Sequence, residues 1–168
     1  MVTDYSRRGT ILLPRQPDSE GSLMDFSKLS RNQQLALGGG VLALISLFVP
    51  WYGVSGLGIS INASAFDAGL FAWGGLLLTI AAAVILVLKA LEVSDVKVGN
   101  LAAEQLALIL AGVGLVFIIL RWITDNDFTK FGLYLGIIAA GLTTYAAFGA
   151  MKDAGLEMPS ADDFKSGE

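Results

Sequence analysis

The stretch Ala68–Leu88, A-G-L-F-A-W-G-G-L-L-L-T-I-A-A-A-V-I-L-V-L, runs for 21 residues without a charge, between Asp67 and Lys89. A helix needs roughly 20 apolar residues to cross a bilayer core about 30 Å thick. The same arrangement recurs on either side. No charged residue lies between Arg31 and Asp67, and Gln105–Leu120 and Phe131–Met151 are uncharged runs of 16 and 21 residues. Four spans are predicted, at about Arg31–Val49, Ala68–Leu91, Leu101–Ile123 and Phe131–Met151. None of them alternates strictly between apolar and polar residues, which argues against a membrane β-barrel. The expected fold is an all-α membrane protein with four transmembrane helices in an antiparallel bundle.

Composition agrees with that reading. Of 168 residues, 54% are hydrophobic and 15% charged, against about 25% charged in a soluble domain. Too few charges remain to cover a water-exposed surface. The net charge of −4 gives no basic footprint for nucleic acid. Histidine and cysteine are both absent. Their absence excludes disulfides, thiolate or imidazole metal ligation, His-ligated haem and Cys or Ser–His nucleophilic catalysis. No enzyme activity and no cofactor are expected.

Local signals mark the ends of the spans. Ser30 and Gln33 have capping-box spacing at the start of the first helix, and Pro50 stops it. Trp51 and Tyr52 then fall where an aromatic belt anchors a helix at the membrane surface, and Arg121 with Trp122 do so at the end of the third span. Asn100 is a candidate N-cap for that span, and Gly155 a candidate C-terminal stop for the fourth. Between the first two spans, Leu57, Ile59, Ile61 and Ala63 alternate with Gly58, Ser60, Asn62 and Ser64. With Gly53 and Gly56 upstream, this spacing suits a short β-hairpin in an external loop. Thr124–Lys130 reads as a simple turn. Residues 1–29 and 155–168 read as flexible cytoplasmic tails around a membrane domain of 30–154. Met24 is a candidate alternative start. Lys28 and Arg31 ahead of Leu35–Val49 imitate a secretory signal, but Pro50-Trp51-Tyr52 is a poor cleavage site, so the segment is expected to stay as a helix.

Candidate chemistry is sparse. Glu104 is the one carboxylate embedded in an apolar run, and with Gln105 it forms a candidate ion or proton site. The plainer reading places Glu104 in the first turn of its helix, favoured by the helix dipole and reaching the interface. Asp67, Asp125, Asn126 and Asp127 carry oxygen ligands of the kind Ca²⁺ takes, but in no EF-hand pattern, so no metal site is assigned. Asn62-Ala63-Ser64 matches a glycosylation sequon by chance, and Gly56-x-Gly58 is too short for a phosphate loop.

The strongest pattern is a face of small residues on the fourth span: Gly132, Gly136, Ala140, Thr143 and Ala147. Such faces let helices approach closely in lipid, where apolar burial supplies no drive. The face serves either the bundle itself or association with a second copy or another membrane protein.

The run Leu47-Phe48-Val49-Pro50-Trp51-Tyr52, a Ser/Gly-rich loop and then Asn62-Ala63-Ser64-Ala65-Phe66-Asp67-Ala68-Gly69 resembles small uncharacterised four-span bacterial integral membrane proteins, over about residues 30–150. The resemblance implies a fold and no activity, cofactor or site residue. The expected role is a structural or accessory subunit of a membrane assembly, surrounded by lipid. The alternative is a small transporter or channel for a proton, ion or solute using Glu104.

Lys and Arg set the expected orientation. Nine of them lie in the N-terminal segment, the middle loop and the C-terminal tail, against only Arg121 and Lys130 in the other two loops. The positive-inside rule then places both termini in the cytoplasm of a bacterial cell, with the protein in its inner membrane. Reporter fusions at Gly58 and Gly155 should be active outside and inside respectively; an externally active fusion at Gly155 would reverse the assignment.

Overall fold

A computed structural model describes residues 29–56, 59–93, 100–125 and 127–160. Its elements run in the order α1 (Arg31–Phe48), β1 (Tyr52–Gly56), β2 (Ile59–Ala63), α2 (Leu70–Ala90), α3 (Ala103–Thr124) and α4 (Phe131–Asp153). Three helices, α2, α3 and α4, are long and apolar enough to cross a membrane. The helix α1 is not among them, because its 18 residues begin with the polar turn Arg31-Asn32-Gln33-Gln34.

Each helix end has a local cause. At α1 the Ser30 backbone N–H donates to Gln33 Oε1 (2.8 Å), and the Gln33 N–H donates to Ser30 Oγ (3.3 Å). This reciprocal pair satisfies two donors that a helix start leaves open. Asn100 is not the cap of α3. The helix opens two residues later, with Ala102 as N-cap, and the Ala102 N–H donates to Gln105 Oε1 at 3.0 Å. Gln105 thus supplies the returning half of a capping box, while Ala102 has no side chain to cap the N–H groups further in. Gly69 enters α2 at φ +98°, a conformation that other residues rarely adopt. Gly155 follows α4 at φ +68°, and the Leu156 N–H returns to Met151 O, closing the helix in a Schellman-type turn.

The helices pack in a ring. Both α1 and α3 lie between α2 and α4, and α2 and α4 also touch across the centre. Neighbours run antiparallel: the start of α1 meets the end of α4 at Asn32 and Asp153, and the end of α2 meets the start of α3 at Lys89 and Glu104. The interior is built from small side chains. Ala36, Ala43, Ala72, Ala107, Ala111 and Ala139 are all fully buried. Gly75 and Gly114 face each other across α2 and α3, where a Cβ on either would lie within 2.8 Å of the other's carbonyl oxygen. Larger side chains such as Val41, Leu44, Leu77, Val84, Val116 and Ile138 point outward. Small residues inside and bulky apolar ones outside is the arrangement that packs helices in lipid.

The small face of α4 is spent inside the protein. Gly132, Gly136, Ala140, Thr143 and Ala147 are all buried. Gly132 and Gly136 abut Trp51, and Thr143 lies against Gly39 of α1. The association alternative for this face is thereby corrected: α1 and the chain that follows it already occupy the space a partner would need.

Trp51 is also corrected. It is fully buried rather than facing lipid, and its indole N–H donates to Ser46 O at 2.8 Å. The Ser46 hydroxyl in turn donates to Gly132 O at 2.8 Å. Trp51 therefore plugs the end of the bundle between α1 and α4.

Beyond it, β1 and β2 pair antiparallel with Val54 opposite Ile61. The predicted strand residues Leu57 and Gly58 lie outside the described residues. The loop after α3 is more than a turn, since Thr129 forms a bridge to Tyr52 and Lys130 N–H donates to Trp51 O at 2.7 Å. At the other end Leu29 is buried, and residues 1–28 and 161–168, which include most of both expected tails, lie outside the described residues.

A Cβ at Gly136 would sit 2.9 Å from the Trp51 ring and 3.1 Å from Ser46 Oγ. Gly136→Leu should therefore lower the melting temperature of the monomer in detergent, at a cost of about 1–3 kcal/mol or more. An unchanged melting curve would place this face away from the interior.

Candidate functional site

Polar side chains gather at the two ends of the bundle. At the end where α1 starts and α4 finishes, Glu104 is 7% exposed and lies in the first turn of α3. Its carboxylate accepts a hydrogen bond from Lys89 Nζ, in the last turn of α2, at 2.7 Å. Each charge also suits its helix end, an acid at the positive N-terminus and a base at the negative C-terminus. Glu104 does not snorkel to water as the plainer reading had it; Lys89 comes to it. Ser30, Gln33, Lys89, Glu104 and Asp153 line a polar cavity of about 230 Å³ to which all four helices contribute. Asp153 is held separately, accepting from Asn32 Nδ2 at 2.6 Å.

Gln105 does not join Glu104. Its oxygen caps Ala102, and its Nε2 donates to Glu157 O at 3.0 Å, tying the chain after α4 to the start of α3. The Lys89 partner went unassigned from the sequence, although a signal exists. A base closing one span and an acid opening the next, antiparallel one, fall at the same end of the bundle and can meet.

The second polar group lies at the hairpin end. Arg121 pairs with Asp125 one turn later, at 2.6 Å. Its guanidinium also lies 5.1 Å from the centre of the Tyr52 ring, a cation–π contact. The anchors thus divide. Tyr52 and Arg121 stack on each other, while Trp122 is 40% exposed. Val54, Ile61, Asp67, Arg121, Asp127 and Phe128 are among the residues around a cavity of about 480 Å³ beneath the hairpin. Tyr52 Oη and Arg121 Nε are buried without a hydrogen-bond partner among the described residues, and an unsatisfied buried group costs about 1–3 kcal/mol. Burial, the largest influence, pushes the Tyr52 hydroxyl up from its ordinary pKa, with Arg121 opposing and Asp125 adding to the rise.

Asp67, at the rim, accepts from both the backbone N–H and the hydroxyl of Ser64, each at 2.9 Å. These bonds hold its carboxyl below the usual carboxylate range. Among the described residues no cluster of three or more carboxylates could hold a metal ion.

Between the two ends the interior carries no charge among the described residues. The buried hydroxyls there serve their own helices: Thr79 donates to Gly75 O and Thr143 to Ala139 O, both at 2.9 Å. No protein-family model matches the chain, and neither curated proteins nor solved structures gave a match.

Two outcomes follow from these contacts. Glu104→Gln should lower stability by about 1–3 kcal/mol, because it removes a charge-assisted bond to a buried carboxylate while Lys89, 35% exposed, can still turn to water; a melting curve beside that of Lys89→Gln checks it. The Ser64–Asp67 contact should add stability above the ordinary Asp pKa of 3.8 and lose it as pH falls through the lowered folded value. Asp67→Asn should flatten the acid limb of the stability profile below about pH 4, and an unaltered limb would show that this contact does not couple to folding.

Proposed function

We propose that this chain is a four-span protein of a bacterial cytoplasmic membrane, with both termini in the cytoplasm, and that it is a structural or accessory subunit of a membrane assembly rather than an enzyme. In this reading α1 serves as the fourth span, its polar first turn lying among the headgroups and its apolar part, Leu35–Phe48, completing the bundle. The hairpin is then extracytoplasmic. No cofactor or nucleic acid enters the reading; its partners are lipid and a second membrane protein or another copy.

One observation supports this reading best. The midplane is closed by Ala, Gly and two hydroxyls already bonded to their own helices. A transporter or channel built on Glu104 would need polar groups continuing from it toward the hairpin end, and Lys89 already neutralises its charge. With the small face of α4 used internally, association falls to outward surfaces such as the apolar groove between α1 and α2, lined by Gly40, Val41, Leu44, Ile80, Ala83 and Val87.

Two measurements test the reading together. Proton and monovalent-cation permeability of vesicles containing the protein should stay at the lipid background. Extraction in mild detergent should yield an assembly of fixed stoichiometry larger than the monomer. A monomer that conducts, with the flux lost in Glu104→Gln, would overturn it.

A further inference from the structure

The hairpin divides its side chains by face. Successive strand residues point to opposite sides, and Val54 pairs with Ile61. Tyr52, Val54, Ile59, Ile61 and Ala63 therefore share one face, and Ser60 and Asn62 lie on the other. The polar face is held by Lys130, whose Nζ donates to Asn62 Oδ1 at 2.7 Å. The apolar face is open: Val54 is 51% exposed, Ile59 67% and Ile61 70%. No acidic or basic residue interrupts it, since none lies between Tyr52 and Ala63.

The direction of this face and its level in the molecule both point to lipid. Val54 and Ile61 border the cavity of about 480 Å³ beneath the hairpin together with Ala68, just before α2, and Arg121, in the last turn of α3. The apolar face is thus turned back toward the bundle, and the polar face away from it. At this end every helix also carries an exposed aromatic ring: Phe48 on α1, Phe71 on α2, Trp122 on α3 and Phe131 on α4. Aromatic side chains gather where hydrocarbon meets headgroups. The hairpin leaves the bundle at that girdle, since β1 begins four residues after Phe48.

We propose that the hairpin docks on the surface of the membrane that holds the bundle, with Val54, Ile59 and Ile61 inserted among the lipids and Ser60 and Asn62 facing water. Apolar side chains left in water would be unfavourable, and a face turned toward the bilayer is not presented to a soluble partner. The proposal rests on the chain crossing a membrane, but neither on the accessory role nor on which side of the membrane the hairpin occupies.

The chain has no cysteine, so an environment-sensitive dye can be attached singly at Ile59→Cys, Ser60→Cys, Ile61→Cys and Asn62→Cys. Leu77→Cys, on the outward surface of α2, is the reference. Each labelled full chain is placed in phosphatidylcholine nanodiscs, and its emission is read with doxyl-labelled lipid and, separately, with aqueous iodide. Lipid quenching at Ile59→Cys and Ile61→Cys should exceed that at Ser60→Cys and Asn62→Cys about threefold, in keeping with an apolar face seated about 5–10 Å into the headgroup boundary. Iodide should give the reverse order. Lipid quenching at Leu77→Cys with none at Ile59→Cys and Ile61→Cys would overturn the proposal alone; no lipid quenching at Leu77→Cys would overturn the membrane reading and the proposal with it. Equal quenching on both faces would also overturn it, as would isoleucine sites shielded from both quenchers, the pattern of a face covered by another protein or a second copy. Should Asn62→Cys fail to fold without its Lys130 contact, Ser60→Cys reports the same face.

Discussion

The hydrogen-bonded chain from Trp51 through Ser46 to Gly132 fixes how the two halves of the molecule meet. An indole N–H deep among apolar side chains must find an acceptor, and Ser46 O provides one at 2.8 Å. The Ser46 hydroxyl then reaches α4 at Gly132 O. That reach requires α4 to present glycine at both Gly132 and Gly136, because the Trp51 ring occupies the volume any side chain would take. Once α4 is set at this distance from α1, Thr143 falls beside Gly39 two turns further along, and the remainder of the face closes as alanine. The hairpin depends on the same residue: Trp51 N–H donates to Ala63 O, and Trp51 O accepts from Lys130. A single aromatic residue therefore joins two helices and three extended segments.

The two ends of the bundle solve different problems. At the Glu104 end Lys89 meets Glu104 across two helices, and Asn32 of the first helix serves Asp153 of the last. At the hairpin end Asp67, Asp125 and Asp127 outnumber the two bases Arg121 and Lys130, and two buried polar atoms remain unpaired among the described residues. The closed, alanine-rich middle separates these regions. Whatever happens at one end reaches the other only through helix packing.

Much of this fold is legible in the sequence, because gaps between charges delimit helices irrespective of how the helices are arranged. The Ser30–Gln33 cap is equally legible, since both partners lie within one turn. What the sequence conceals is direction. Glu104 and Gln105 are adjacent and invite one reading, yet successive helix residues differ by about 100°. One meets α2 and the other caps Ala102 and holds Glu157. Trp51 after Pro50 has every local mark of an interfacial aromatic, and only residues far away in the chain make it a core residue. The spacing of the α4 face likewise reveals that something packs there without revealing what.

The 86-residue separation between Ser46 and Gly132 has a consequence for biogenesis. Nascent chains emerge at about 5–20 residues per second, so α1 waits several seconds before its partner helix exists. Throughout that wait the indole of Trp51 and the hydroxyl of Ser46 lack α4, and the grooved face of α1 that will receive it lies open to lipid or to whatever insertion machinery stands beside it. The last helix to be made is thus the one that locks the first, and a chain truncated before α4 would leave α1 without its principal contact.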